Sequence, residues 1–295
     1  MTILDDIRAH KEKEVAEREV ARPLDQLIAA CNSAPQVRRF GEALRRPGLQ
    51  LIAEVKRKSP TKGDLALDAD APQLAETYLS SGAAAVSVLT DERFFSGADA
   101  DLQAVRARVD GPLLRKDFVI SSYQIYEARS LGADAVLLIV SMLSDELLNT
   151  FLDTADCLGM GALVETHTED EVRRAVAINA QIIGINNRDL SNFTVDLATT
   201  ERLRPLIPER TLVVSESGIS TRADVERAQA AGAKAILVGE ALVTAPDRRA
   251  RIAELLGLAQ HPRPLGEGRG EGVPSGAHRG QLGGSQGSAP RVPTA

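Results

Sequence analysis

From residue 50 onward, short apolar runs rich in β-branched residues alternate with longer stretches whose apolar positions recur at helical spacing. The short runs fall at 50–56, 84–90, 112–116, 135–140, 161–165, 181–186, 211–215 and 235–239, and each predicts a strand. Helical patterns follow them at Pro72–Ser81, Asp99–Val109, Ser122–Leu131, Ser144–Leu158, Thr168–Ala177, Asp196–Leu206, Thr221–Ala231 and Asp247–Leu256. Ser144, Thr168 and Thr221 stand where an N-cap is needed, and Gly82, Gly132, Gly159 and Gly232 where helices close. Alternating strands and helices demand parallel pairing with right-handed crossovers, and eight such units predict an α/β chain, a (β/α)8 TIM barrel. An open, doubly wound sheet is the alternative, but no Gly-x-Gly-x-x-Gly follows the first strand. Ahead of the barrel, residues 2–20, 24–31 and 36–46 predict helices, the last ending near Pro47-Gly48. The expected division is an N-terminal helical extension, 1–48, packing on a barrel of residues 49–258.

The pattern stops near Gln260. Residues 260–295 hold nine Gly and five Pro, and four Arg against two Glu give them a charge of +2. That composition predicts a disordered, solvated tail over 259–295, with contact to a partner as the alternative. For the chain as a whole, 43% apolar residues suffice for a full core. A net charge of −6 gives no reason to expect nucleic acid or an anionic membrane as partner. No apolar run is long enough to span a bilayer, and the charged start, with Asp5 and Asp6, lacks the apolar centre of a signal peptide. Cys31 and Cys157 are far apart and read as reduced core thiols of a cytosolic protein. The four histidines (His10, His167, His261 and His278) are scattered, so no metal site is expected.

Charges interrupt the apolar strands at particular places. In Leu51-Ile-Ala-Glu-Val-Lys-Arg-Lys-Ser-Pro60, residues two apart share a face, so Glu54 and Lys56 point the same way as Ile52. Alone, the pair is as well explained by an ion pair at a sheet edge. The recurrence decides otherwise: Lys116 closes strand 3, Glu165 strand 5, Asn186 strand 6 and Glu216 strand 7. Active sites of such barrels gather at these strand ends. Lysines and carboxylates converging there shift one another's pKa values and suit proton transfer. A desolvated lysine also suits Schiff-base chemistry, so an aldolase-type lyase stays in view.

A phosphate signal is separate. Strand 7 ends in Ser215-Glu-Ser-Gly-Ile219 and strand 8 in Leu237-Val-Gly-Glu-Ala241, where Gly218 and Gly239 leave backbone N–H groups uncovered beside expected helix starts. Loops after strands 7 and 8 are the usual phosphate cradle of these barrels, and Lys58 can add charge. In a chain with nine aromatics and no Trp, Phe94-Phe95 and Phe118 at strand exits, with Leu190, suggest a planar apolar substrate part. The polar stretch Thr61-Lys-Gly-Asp-Leu65 predicts a mobile lid.

The chain resembles the indole-3-glycerol phosphate synthase family over about residues 1–258. The resemblance rests on Ile52-Ala-Glu-Val-Lys-Arg-Lys-Ser-Pro60, Leu114-Arg-Lys-Asp-Phe118, Leu163-Val-Glu-Thr-His167, Gly184-Ile-Asn-Asn-Arg-Asp-Leu190, Ser215-Glu-Ser-Gly-Ile219 and Val238-Gly-Glu240. The Gly/Pro-rich tail departs from the family pattern. What the resemblance implies is ring closure, decarboxylation and dehydration of a carboxyphenylamino-deoxyribulose 5-phosphate, with no metal or organic cofactor. It implies Lys116 as general acid at the ketone oxygen and Glu165 as general base in the dehydration. Lys56 would contact the substrate carboxylate, Glu54, Asn186 and Glu216 would orient hydroxyls and lysines, and Arg188 would organise the site. Ser217, Gly218, Gly239 and Glu240 would offer backbone groups to the phosphate, beside Lys58. Pro60, Phe95, Phe118 and Leu190 would enclose the ring. The partner is then a small phosphorylated molecule, handled by a monomer without nucleic acid or membrane. Phosphoribosylanthranilate isomerase, a related barrel expected to use a Cys and an Asp, is the poorer fit, because no Cys here closes a strand. A phosphate-binding regulatory barrel is the non-enzymatic alternative, and the two lysines with Glu165 argue against it.

Overall fold

A computed structural model describes residues 3–59, 63–189 and 193–258. Eight strands close into a barrel: β1 (Gln50–Val55), β2 (Ala85–Leu89), β3 (Leu113–Lys116), β4 (Ala135–Ile139), β5 (Gly161–Thr166), β6 (Ile182–Asn186), β7 (Leu212–Glu216) and β8 (Ala235–Val238). Each pairs in parallel with its sequence neighbours, and β1 alongside β8, Gln50 opposite Ala235, closes the ring. The strands are buried on both faces because the barrel interior fills one and helices cover the other, which is why they read as unbroken apolar runs. Strand register lines up Glu54 with Ser87, Ile139 with Glu165 and Asn186 with Glu216.

Helices α1 (Ile3–Ala21), α2 (Leu24–Ser33) and α3 (Phe40–Leu44) precede the barrel. Around it run α4 (Ala71–Ser80), α5 (Glu92–Phe95), α6 (Asp99–Arg108), α7 (Ser122–Ser130), α8 (Asp145–Cys157), α9 (Glu169–Ala177), α10 (Ala198–Leu203), α11 (Arg222–Ala230), α12 (Glu240–Val243) and α13 (Arg248–Leu256). The expected caps form: Ser144, Thr168 and Thr221 accept from the backbone N–H groups of Leu147, Glu171 and Asp224. The helix expected over 36–46 shrinks to Phe40–Leu44, because the Arg38 N–H is taken at 2.7 Å by the Asp134 carboxylate at the foot of β4. The one expected over Asp196–Leu206 starts only at Ala198, since the Asp196 N–H is taken by the Asn187 carbonyl and its side chain accepts the Ala198 N–H; past Leu203 it tightens to a 3₁₀ turn containing Pro205. Cys31 is buried as expected, but Cys157, the last residue of α8, is exposed rather than in the core. Helices α5 and α12 are one turn each, too short to leave a period in the sequence.

A buried ionic network joins α1 to the barrel. Lys11 is fully buried, with its Nζ 2.8 Å from Asp117, 3.0 Å from Asp91 and 3.1 Å from Glu14. Arg115, on the outer side of β3, reaches Asp99 at 2.7 Å, Glu127 at 2.8 Å and Asp117 at 3.5 Å, and Arg18 joins Glu14, Asp99 and Glu127. Three cations thus face five carboxylates. The surplus negative charge is offset by other donors: Thr90 and the Phe118 N–H donate to Asp117, and the Phe94 N–H to Asp91. Burial alone would raise the Asp117 carboxyl, but Lys11 and Arg115 bring it down to about 2. Burial also opposes the charge on Lys11, and Asp117, Asp91 and Glu14 overcome it, holding the ammonium protonated well above the ordinary lysine range.

The replacement Arg115→Leu removes the one cation that reaches Asp99, Asp117 and Glu127 together, leaving Arg18 alone between Asp99 and Glu127. Breaking a buried pair from one side costs about 3–5 kcal/mol. Urea unfolding of Arg115→Leu is expected to show a loss of that size with an unchanged slope.

Candidate active site

At the carboxyl ends of the strands a cavity of about 160 Å3 opens, lined by Glu54, Lys56, Phe95, Lys116, Phe118, Glu165, Asn186, Arg188, Glu216, Ser217, Gly218, Gly239 and Glu240 among others. It therefore brings together thirteen of the sixteen expected site residues. Lys58 stands elsewhere, in the two-residue strand Lys58–Ser59 that pairs with Gly63–Asp64. Pro60 and Leu190 lie outside the described residues, as do part of the expected lid (Thr61 and Lys62) and the tail.

Lys116 is the hub. Its Nζ lies 3.1 Å from Glu165 Oε2 and 3.6 Å from Glu216 Oε2. Asn186 Nδ2 donates to Glu165 Oε1 at 3.0 Å, while Asn186 Oδ1 accepts the Arg188 N–H, so both ends of the amide are used. On the opposite wall Lys56 Nζ sits 3.7 Å from Glu54 Oε2 and 5.6 Å from the centre of the Phe95 ring. Phe95 and Phe118 stack at a tilt of 31°, 6.0 Å apart, and form an apolar wall beside the lysines. Phe94 stands behind that wall, edge-on to Phe118 and to His10 of α1.

Two glycines make room for the carboxylates. A Cβ on Gly184 would collide with Glu216 Oε1, and one on Gly239 would come within 2.5 Å of Glu54 Oε2. In the loop after β7, Ser217 takes φ +65°, a left-handed conformation uncommon outside glycine, next to Gly218 at φ +81°. Asn187 holds this turn by donating to the Ser217 carbonyl at 3.1 Å and to Ser215 Oγ at 3.0 Å. Gly218 is not beside a helix start as expected, since Ile219, Ser220 and the cap Thr221 intervene before α11. Gly239 does stand at one, as N-cap of α12.

The electrostatics give these groups different tasks. Burial disfavours charge on Lys116, but Glu165, Glu216 and Glu54 outweigh it and keep the ammonium protonated well above its usual range. Burial, with Glu165 and Glu54 nearby, pushes the Glu216 carboxyl up to about 8 against the pull of Lys116. The arrangement offers a proton donor, a carboxylate base in hydrogen-bond reach of it, and an apolar wall, the parts needed for acid–base chemistry on a planar substrate. Among the described residues no cluster of His, Cys, Asp and Glu could hold a metal ion.

Other lining residues were missed from the sequence. Leu89, Leu137, Ile139 and Leu237 also face the cavity, from β2, β4 and β8, strands that no charged residue closes, so nothing in those apolar runs marks their inward face. Phe193 lines it from the loop after β6 with φ +61°, and no sequence period marks such a position. His167 Nδ1 lies 2.7 Å from the Asn186 carbonyl, so the ring donates there and helps fix the end of β6.

Residues 4–255 match the family model described as indole-3-glycerol phosphate synthase. A protein of that name from Roseiflexus castenholzii is 52% identical over 265 residues, covering 87% of this chain and 98% of its own. One from Streptomyces griseus is 47% identical over 270 residues, covering 92% and 100%. Among solved structures, a 3-hexulose-6-phosphate synthase superposes with a TM-score of 0.56 at 17% identity, over 72% of this chain and 100% of its own, a likeness of fold alone.

A carboxyl raised from 4.5 keeps its proton in the folded chain where the unfolded chain has lost it. Stability conferred by protonated Glu216 is therefore full below pH 4.5 and declines as pH rises towards about 8. Glu216→Gln is expected to flatten the stability–pH curve in that window, read by urea unfolding at fixed ionic strength.

Proposed function

This chain belongs to the indole-3-glycerol phosphate synthase family, and from that premise we propose how its residues divide the reaction. It is a carboxy-lyase of tryptophan biosynthesis that converts 1-(2-carboxyphenylamino)-1-deoxy-D-ribulose 5-phosphate to indole-3-glycerol phosphate. One carbon–carbon bond forms, and carbon dioxide and one water leave.

Lys116 is the general acid: it protonates the ketone oxygen as the carboxylate-bearing aryl carbon attacks the ketone carbon. Loss of carbon dioxide restores the aromatic ring, and Lys56, over the Phe95 ring, holds the departing carboxylate in poorly hydrated surroundings. The new hydroxyl then leaves as water on a proton from a lysine ammonium, while Glu165 takes the proton that the substrate loses in the same step. Asn186 orients Glu165, Arg188 organises the loop after β6, and Glu54 and Glu216 orient lysines and substrate hydroxyls. Backbone groups of Ser217, Gly218, Gly239 and Glu240 receive the phosphate, with charge from Lys58, while Pro60, Phe95, Phe118 and Leu190 enclose the ring. The observation that carries this division is the contact of Lys116 Nζ with Glu165 Oε2 at 3.1 Å, an acid and a base able to pass one proton between two steps.

The same reading divides the chain into an extension (1–48), a barrel (49–258) and a tail (259–295). It takes the enzyme to act as a cytoplasmic monomer on a small phosphorylated substrate, without metal, organic cofactor, nucleic acid or membrane. No helix among the described residues is long and apolar enough to cross a membrane.

The chain contains no Trp, so indole fluorescence reports turnover directly. Lys116→Ala is expected to lose about a hundredfold or more in kcat, the scale of a general acid. A variant near wild-type rate would move the acid to Lys56. Rates in EDTA are expected to match those without it, and a loss on chelation would reject the metal-free mechanism.

A further inference from the structure

The fully buried Lys11 is not among the lining residues of the cavity, yet its two deepest partners stand at the ends of neighbouring strands. Asp91 follows β2 and caps α5, accepting the Phe94 N–H at 2.6 Å in the one-turn helix that carries Phe95. Asp117 follows Lys116 directly and accepts the Phe118 N–H at 2.8 Å and the Thr90 hydroxyl at 2.5 Å. Thr90 in turn donates its N–H to the Lys116 carbonyl at 3.3 Å. One ammonium thus fastens the main chain on either side of the acid and at the root of both rings of the apolar wall.

We infer that Lys11 is a positioning residue for the ring wall and for Lys116, acting through Asp91 and Asp117 across the seam between α1 and strands β2 and β3. This rests on the proposed roles of Lys116, Phe95 and Phe118. Without the ammonium, two buried carboxylates that share it repel each other. Parting them moves α5 with Phe95 one way and the end of β3, with Lys116 and Phe118, the other. The phosphate loops after β7 and β8 make no use of this contact.

The full chain, carrying Lys11→Met or Asp91→Asn, separates the two ends of the substrate. N-methylanthranilate, read by its own fluorescence, probes the ring wall, and inorganic phosphate, read by calorimetry, probes the cradle. In folded Lys11→Met, checked by near-UV circular dichroism, the anthranilate Kd is expected to rise about tenfold and kcat to fall by a similar factor, with the phosphate Kd within twofold of wild type. Asp91→Asn keeps an oxygen for the cap and weakens the Lys11 contact, so a severalfold change in the same direction is expected. The double variant should lose less than the product of the two, because both remove one interaction. Should Lys11→Met not fold, Asp91→Asn decides alone. Wild-type anthranilate binding and kcat in either folded variant would overturn the inference, as would equal weakening of phosphate or a wild type that binds no N-methylanthranilate. Wild type that binds both probes without turning over substrate, with the ring probe still sensitive to Lys11, would reject the reaction while retaining the positioning role.

Discussion

Strand β3 carries the constraint on which the rest depends. Side chains alternate along it, so Arg115 faces outward into the ionic network, Lys116 faces inward to Glu165 and Glu216, and Asp117 returns to the network. A strand that slipped by one residue would put a guanidinium in the cavity and an ammonium among five outer carboxylates. The two cations carry equal charge but not the same fork of donors, and Asp117 would turn inward with the guanidinium, so the two electrostatic systems fix each other's register.

Inside the barrel the same logic sets the protonation states. Three carboxylates, Glu165, Glu216 and Glu54, crowd round the one ammonium of Lys116, more negative charge than it balances. The mismatch is resolved on Glu216, whose Oε1 sits over Gly184 where any larger residue would displace it. Lys116, Glu165 and Glu216 thus stand in the middle. Aromatic groups lie towards β2 and β3, and the glycine turns lie towards β7 and β8, so a substrate with an apolar end and an anionic end has one orientation.

The barrel and most of its site were legible in the sequence because both follow from period. Apolar runs of fixed spacing predict strands, and a charge closing such a run, as Lys116 and Glu165 do, stands out against it. What stayed hidden has no period. Phe193 depends on a backbone conformation, and the one-turn helices α5 and α12 are shorter than any repeat. Lys11 sits in a helix so rich in mixed charge that one buried lysine looks like its solvated neighbours, and only its distant partners, Asp91 and Asp117, reveal it. Arg38 shows the reverse case, a residue in a helical pattern pulled out of it by Asp134.

The network on the outer side of β3 also has a thermal consequence. Hydration of ions becomes less favourable on heating, so the penalty for burying Lys11, Arg115 and their carboxylates shrinks while hydrophobic stabilisation per unit area levels off. The joint between α1 and the barrel therefore gains relative strength as temperature rises.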